Sequence, residues 1–265
     1  MKKTLTNTRN PITKPSKIAP EKAATKTTQI KKSSPSKPTN KTNDTVTTTP
    51  PDKQEIRVSA REQVATPPQP PAPKYVIKNR DIMTIPIADL PSALEAIYLH
   101  GEYTPLILDE TGRVDTFFTY ATGCITLDMK MYMLKVEVQK TLTLPEVKET
   151  LRSMLIPSLL KYGNTMCFTL SNSAPMFTKY YDPTCLPLCI FEKGGRTLMR
   201  NEVMYSPCVR PEDVDTYSLP PILIPNPEFK VLVTSRFSVE DYEEFLASSI
   251  SLENFIPVCI EKEKQ

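Results

Sequence analysis

A short, almost wholly apolar segment that runs into a turn and then a helix is the feature that most constrains the fold of this chain. Residues 105–109 are too few for a helix and apolar enough for a strand covered on both faces. Gly112 lies in the turn that follows, and residues 113–121 are predicted to form a helix with aromatic side chains on or near its buried side. The sequence therefore predicts a unit in which a buried strand leads directly into a helix.

The same alternation of strands and helices continues along the chain. Five strands are predicted, at residues 105–109, 131–139, 166–170, 229–235 and 256–260. A long helix at 144–162 is expected to begin after Thr143, which caps it, and to kink or divide at Pro157. Strands that alternate with helices predict an α/β fold of three layers, in which helices cover both faces of a mainly parallel sheet.

Charge and composition divide the chain into two parts. Residues 1–74 hold 15 lysines and arginines against 5 acidic residues, whereas the remaining 191 residues hold 18 against 25. The first part has no aromatic residue and is rich in Thr, Pro, Lys and Ser, so it cannot bury enough surface to offset the entropy of ordering. We expect a disordered basic tail at 1–74 and one folded domain at 75–265, with a proline-rich loop at 201–227.

The chain contains no stretch of 18 apolar residues, so the sequence predicts no membrane span. Its N-terminus lacks the apolar core of a secretory signal. The tail loosely resembles a mitochondrial transit peptide in being basic and Thr-rich, but its prolines would break an amphipathic helix. Six scattered cysteines and a single histidine, His100, do not give the paired ligand spacing of a zinc site. We expect a cytoplasmic protein with no metal and no membrane partner.

The turn after residue 109 occupies the setting of a phosphate-binding P-loop without its chemistry. The pattern G-x-x-x-x-G-K-[ST], laid over Asp109 to Thr116, puts Asp109 and Val114 at the glycines and Asp115 at the lysine that reaches the β- and γ-phosphates. Only Thr116 fits. Asp115, in place of the cation, would repel a nucleotide, so the site is expected to be silent. Asp109 is expected to cap the following turn.

Later landmarks extend this pattern over residues 103–260. They are Lys161-Tyr162-Gly163-Asn164, Asp182-Pro183, Leu186-Pro187-Leu188, Phe191, Gly194-Gly195-Arg196 and the run from Pro225 to Arg236. In this order and spacing the chain resembles the fifth AAA+ module of dynein heavy chains, which does not bind nucleotide.

The resemblance implies a strand order of 5-1-4-3-2 and a P-loop-like domain that here lacks the small helical lid. It also implies a non-catalytic interaction or scaffold module, a pseudo-ATPase of a ciliary, flagellar or microtubule-associated assembly, with no cofactor. The remnant of the nucleotide loop would be Asp109, Gly112, Arg113, Asp115 and Thr116. The uncharged run after the third strand, Ser171-Asn172-Ser173, replaces the acidic residues with which an active AAA+ enzyme holds Mg²⁺.

Two matters stay open at the level of sequence. The basic tail suits an acidic surface, whether of a microtubule, of a dynein-containing assembly or of nucleic acid, and charge alone does not choose among these or exclude a tail with no partner. The alternative function is a divergent nucleotide-binding protein or weak NTPase that uses the 109–116 loop. The turn Gly194-Gly195-Arg196, with backbone N–H groups beside a cation, would favour that alternative.

Overall fold

The computed structural model of the chain describes residues 74–262. The predicted tail therefore lies outside the described residues, except for Lys74. The Lys74 ammonium forms an ion pair with Asp89, and the Tyr75 hydroxyl donates to the same carboxylate over 2.9 Å. These contacts fix the start of the described chain against Asp89, the residue before the helix Leu90–His100.

Six parallel strands form one sheet, so the prediction of five strands was wrong by one. The strands are β1 (Met83–Ile85), β2 (Thr104–Leu108), β3 (Cys124–Asp128), β4 (Thr165–Thr169), β5 (Lys230–Ser235) and β6 (Phe255–Ile260). Their order across the sheet is β1-β6-β2-β5-β4-β3. The extra strand, β1, has three residues and pairs with β6 at one edge, with Met83 opposite Val258.

Without β1, the five remaining strands follow the order 5-1-4-3-2 when numbered along the chain. The prediction of a strand at residues 131–139 was wrong, because the strand beside β4 is β3. Residues 131–138 lie in a helix instead, α3 (Met129–Met133), which continues as a π-helix over Leu134–Val138. The Asp128 carboxylate begins this helix by accepting a hydrogen bond from the Met131 N–H over 2.8 Å.

Successive side chains of the central strands enter two separate hydrophobic clusters. Along β2, Leu106 and Leu108 belong to one cluster and Ile107 to the other. Helix α1 (Leu90–His100) and α2 (Arg113–Tyr120) cover the face of Ile107, and α4 (Leu144–Pro157) covers the opposite face. The fold is thus a parallel sheet between two helical layers, as predicted, and the inner strands β2, β4, β5 and β6 are buried on both sides.

Helix α4 begins and ends where the sequence indicates. The Thr143 side chain accepts from the Glu146 N–H, and the Glu146 carboxylate accepts in return from the Thr143 N–H over 2.7 Å, which forms a capping box. The α-helix ends at Pro157, which has no N–H to donate, and the chain continues as a π-helix over Ser158–Tyr162. The predicted division at Pro157 is confirmed.

Residues 182–227 contain more helix than the sequence predicted. Helix α5 covers Gly195–Leu198. The proline-rich loop at 201–227 includes α6 (Glu202–Tyr205) and α7 (Asp213–Thr216). The last helix, α8 (Tyr242–Leu246), leads to β6.

Candidate functional site

The loop that aligns with a P-loop lies at the carboxyl edge of the sheet, between the end of β2 and the start of α2. Ligands of open parallel sheets bind at this edge, in the crevice outside the strand ends. Asp109 is the first residue after β2 and Gly112 is the last before α2. The chain therefore has the location of a nucleotide site, and the side chains decide whether it has the chemistry.

The buried carboxylate of Asp109 takes the hydrogen bonds of this loop. Asp109 is 4% exposed, and its Oδ1 accepts from the Thr111 N–H over 3.0 Å and from the Thr111 hydroxyl over 2.6 Å. Its Oδ2 accepts from the Val114 N–H in the first turn of α2 over 2.8 Å. The prediction that Asp109 caps the turn is confirmed. Two N–H groups of the loop are thus bound to an anion that the chain itself supplies.

Asp115, at the position of the P-loop lysine, is paired with an arginine that directly follows β5. The Asp115 Oδ2 accepts from the Arg236 Nε over 2.9 Å and lies 2.8 Å from the Arg236 Nη2. Its Oδ1 accepts from the Thr234 hydroxyl over 2.8 Å. The carboxylate that would repel a nucleotide is thus neutralised within the protein, by residues at the end of β5.

Gly112 gives Arg236 room to lie across the loop. The backbone of Gly112 is in the left-handed region, with φ of 75°. A Cβ on Gly112 would come within 2.8 Å of the Arg236 Cζ. The guanidinium therefore packs directly on the turn where a P-loop would hold phosphate, and it links α2 to β5.

The two other residues of the predicted loop do not converge on the same point. The Arg113 Nε donates to the Thr111 hydroxyl over 3.0 Å, and its Nη2 donates to the Glu261 carbonyl oxygen, just after β6, over 2.8 Å. The Thr116 hydroxyl lies 3.4 Å from the Gly112 carbonyl oxygen, one helical turn back. Of the five predicted residues, Asp109, Gly112 and Asp115 share the loop with Arg236, while Arg113 reaches β6 and Thr116 lies on the helix surface.

The end of β4 holds no carboxylate. Ser171, with φ of 52°, accepts from the Arg236 N–H through its carbonyl oxygen over 2.8 Å, and the Lys130 ammonium donates to the Asn172 side-chain oxygen. An AAA+ ATPase needs acidic groups here to bind Mg²⁺ and orient water. The groups present join β4 to β5 and to α3.

A cleft of about 510 Å³ lies beside the loop, over the ends of β1, β2 and β6. Four carboxylates line it, those of Asp109, Glu110, Glu240 and Glu261, against one ammonium, that of Lys262. The Lys262 Nζ is 3.0 Å from a Glu110 carboxylate oxygen. The cleft is large enough for a small ligand, but its charge disfavours a nucleotide phosphate.

The turn Gly194-Gly195-Arg196 uses its two glycine N–H groups and its guanidinium for bonds within the chain. The Gly194 N–H donates to the Glu102 carbonyl over 2.7 Å, and the Gly195 N–H to the Glu192 carbonyl over 2.8 Å. The Arg196 guanidinium donates to the carbonyl oxygens of Tyr98, Pro227 and Phe229, and burial lowers its pKa. The two glycine N–H groups thus bond within the chain, and the guanidinium holds the segment before β5.

Arg236 is the residue of this site whose role the sequence did not reveal. The chain places it after β5, near Ser235, but only the adjacency of β2 and β5 brings it to Asp115, which lies 121 residues earlier.

Among residues 74–262, no group of three or more His, Cys, Asp or Glu side chains is placed to hold a metal ion. No helix in that range is long and apolar enough to cross a membrane. Comparisons with protein-family models, with curated proteins and with solved structures found no match to this chain.

Proposed function

We propose that this chain is a non-catalytic interaction module with a degenerate AAA+-like fold. The observation that carries the proposal is the Asp109 carboxylate, whose oxygens accept from the Thr111 and Val114 N–H groups in the position of a bound phosphate. The pairing of Asp115 with Arg236 supports it, since the residue at the lysine position is an anion held by an internal cation. In a loop closed in this way the N–H groups that would bind phosphate are occupied, while the fold is kept.

The strand order 5-1-4-3-2 of β2 to β6 supports a relation to the silent fifth module of dynein heavy chains, because that module has the same order. On this basis we infer a scaffold role in a ciliary, flagellar or microtubule-associated assembly, and a location in the cytoplasm or cilium. The partners would be proteins, among them microtubules or a dynein-containing assembly. Nucleic acid is a less favoured partner of the basic tail.

The test of a silent site is isothermal titration of the full chain with Mg-ATP, Mg-ADP and Mg-GTP. We expect no heat of binding up to millimolar nucleotide, because the loop N–H groups are occupied and the adjacent cleft is anionic. Micromolar binding of any of the three would overturn the proposal and favour the second candidate, a divergent nucleotide-binding protein. The size of the cleft is what keeps that candidate worth testing.

The test of the tail is co-sedimentation with microtubules and, separately, with DNA. The full chain is compared with a chain that lacks residues 1–74, which carry 15 lysines and arginines. We expect microtubule binding by the full chain that decreases with salt and is lost on truncation. Equal binding by both chains would exclude the tail as the contact, and stronger binding to DNA would redirect the proposal to nucleic acid.

A further inference from the structure

An apolar groove of about 350 Å³ lies between residues 181–192 and the segment that contains α6. Three large apolar side chains of its walls are exposed, Val203 at 73%, Leu188 at 54% and Met204 at 37%. Tyr181 and Cys189 form its inner part. Exposed apolar side chains that line one groove beside polar residues are a feature of interaction sites.

The walls of the groove are held in place before any partner binds. The Cys208 thiol, behind α6, donates to the Pro183 carbonyl oxygen in the opposite wall over 3.3 Å. The Cys208 carbonyl oxygen in turn accepts from the Arg152 Nη1 of α4 over 3.0 Å. A groove that is already formed binds without the cost of ordering its loops.

The backbone of the groove favours a helical partner over an extended one. Pro183, Pro187 and Pro207 line it and have no N–H to donate. The Met204 N–H donates to the Asn201 carbonyl and the Val203 N–H to the Asn201 side chain. An extended peptide that adds a strand needs free backbone groups, whereas a helix satisfies its own and binds through apolar side chains.

The charges of the groove are all negative. Asp182 and Glu192 line it, and no lysine or arginine does. Asp182 is engaged by the Lys148 ammonium over 3.3 Å, whereas no described cation pairs with Glu192. Residues 74–262 carry 18 lysines and arginines against 24 acidic residues, so the surrounding field has the same sign. This charge complements a cationic partner.

We propose that the apolar groove docks a basic amphipathic helix of a partner protein. Apolar residues of the helix would contact Leu188, Val203 and Met204, and a lysine or arginine beside them would pair with Glu192. The flexible thioether of Met204 suits helices that differ in their apolar anchors. The inference rests on the proposed interaction role and names the surface through which it acts.

The test uses three fluorescein-labelled 14-residue peptides with the full chain, and fluorescence anisotropy as the measurement. The first peptide is built from Leu and Lys with one apolar helical face. The second has Glu in place of Lys, and the third has the Leu and Lys residues in an order without an apolar face. We expect the first peptide to bind at least about tenfold more tightly than the other two. Equal binding of the first and third peptides would reduce the effect to charge alone and overturn the proposal, as would tight binding of the Glu peptide that the groove substitutions weaken.

Substitutions then locate the binding surface. The double variant Val203→Ser with Met204→Ser is expected to weaken binding of the first peptide about tenfold, and Glu192→Gln by a few fold with a smaller dependence on salt. The matched control is Tyr120→Ser, because Tyr120 is 83% exposed on α2, the helix that covers the opposite face of the sheet from the groove. Thermal unfolding establishes that each variant folds. Unchanged binding of the first peptide to the folded double variant would exclude the groove as the docking site. Nucleotide titration does not involve this surface, so it tests the proposed function separately from the groove.

Discussion

The loop after β2 and the apolar groove differ in how far the protein satisfies its own groups. In the loop, Asp109, Asp115 and Arg236 have their hydrogen bonds met by neighbours within the chain. In the groove, the side chains of Leu188 and Val203 are more than half exposed. An edge that binds its own anion leaves no place for a ligand anion, whereas an uncovered apolar wall gains free energy when a partner covers it.

The largest expected effect concerns the support of the groove. The Arg152 Nη1 lies 2.6 Å from an Asp213 carboxylate oxygen, and both side chains are at most 4% exposed. Replacement of Arg152 by Met would leave the Asp213 charge buried without its cation. We expect a loss of about 3–5 kcal/mol in the free energy of unfolding, measured by urea denaturation.

The control for this substitution is Lys262→Met, which removes an exposed ion pair with Glu110 at the cleft. We expect little measurable change there, because exposed pairs contribute little. A loss in Arg152→Met no larger than that of the control would mean that the pair does not support the groove. The peptide affinity of Arg152→Met should fall as well, since the Cys208 carbonyl loses its donor.

A smaller effect is expected at Asp109. Asp109→Ala removes the acceptor of three hydrogen bonds, two of them from loop N–H groups, and should cost about 2 kcal/mol of stability. The freed N–H groups should then donate to an external anion. We therefore expect sulfate to raise the midpoint of thermal unfolding of Asp109→Ala more than that of the unsubstituted chain.

The control at this position is Glu110→Ala, which removes an adjacent carboxylate that does not bond the loop amides. Its response to sulfate should match that of the unsubstituted chain. If the sulfate response of Asp109→Ala also matched that of the unsubstituted chain, the Asp109 carboxylate would not occupy the place of a phosphate. The loop would then not differ from the groove in the way described above.

Much of the fold follows from local patterns in the sequence, and the errors have local causes. The alternation of strands and helices gave the parallel α/β class, and Pro157 gave the end of α4. The strand β1 escaped notice because three residues carry almost no periodicity. Leu134, Val136 and Val138 alternate as in a strand, but the Asp128 cap starts a helix just before them, and Val138 is 69% exposed.

The candidate site was predictable only where its contacts are local. Asp109 bonds residues two and five positions ahead, so its role as a cap could be predicted from the turn. The pairing of Asp115 with Arg236 depends on β2 lying beside β5, and the groove depends on Cys208 meeting Pro183. Contacts between residues so distant in sequence are set by the packing of the whole sheet, which no short motif encodes.

Gly112 offers a smaller test of how tightly the loop is closed. Gly112→Ala adds a Cβ at a positive φ and within 2.8 Å of the Arg236 Cζ, and we expect a loss of about 1–2 kcal/mol by urea denaturation. The matched control is Gly194→Ala, since Gly194 has φ of 73° with no atom within 4 Å of its Cβ position. Gly194→Ala should lose only the stability that a non-glycine residue loses at positive φ, so a larger loss at Gly112 measures the packing of Arg236 on the loop. Equal losses would mean that Arg236 moves aside freely and that the loop can open.

The last prediction compares thiols without changing the protein. Burial raises the pKa of Cys189, at the inner side of the groove, to about 11, and that of Cys208 to about 12. A hydrogen bond from the Cys167 thiol lowers the pKa of the half-buried Cys124, on β3 at the opposite edge of the sheet from β1. At pH 8 a thiol of pKa 11 is ionised in only about one molecule in a thousand, so limiting iodoacetamide should label Cys124 first, as mass spectrometry of tryptic peptides would show. Labelling of Cys189 as fast as Cys124 would mean that the groove wall opens in solution, and it would contradict a groove held ready by Arg152 and Cys208.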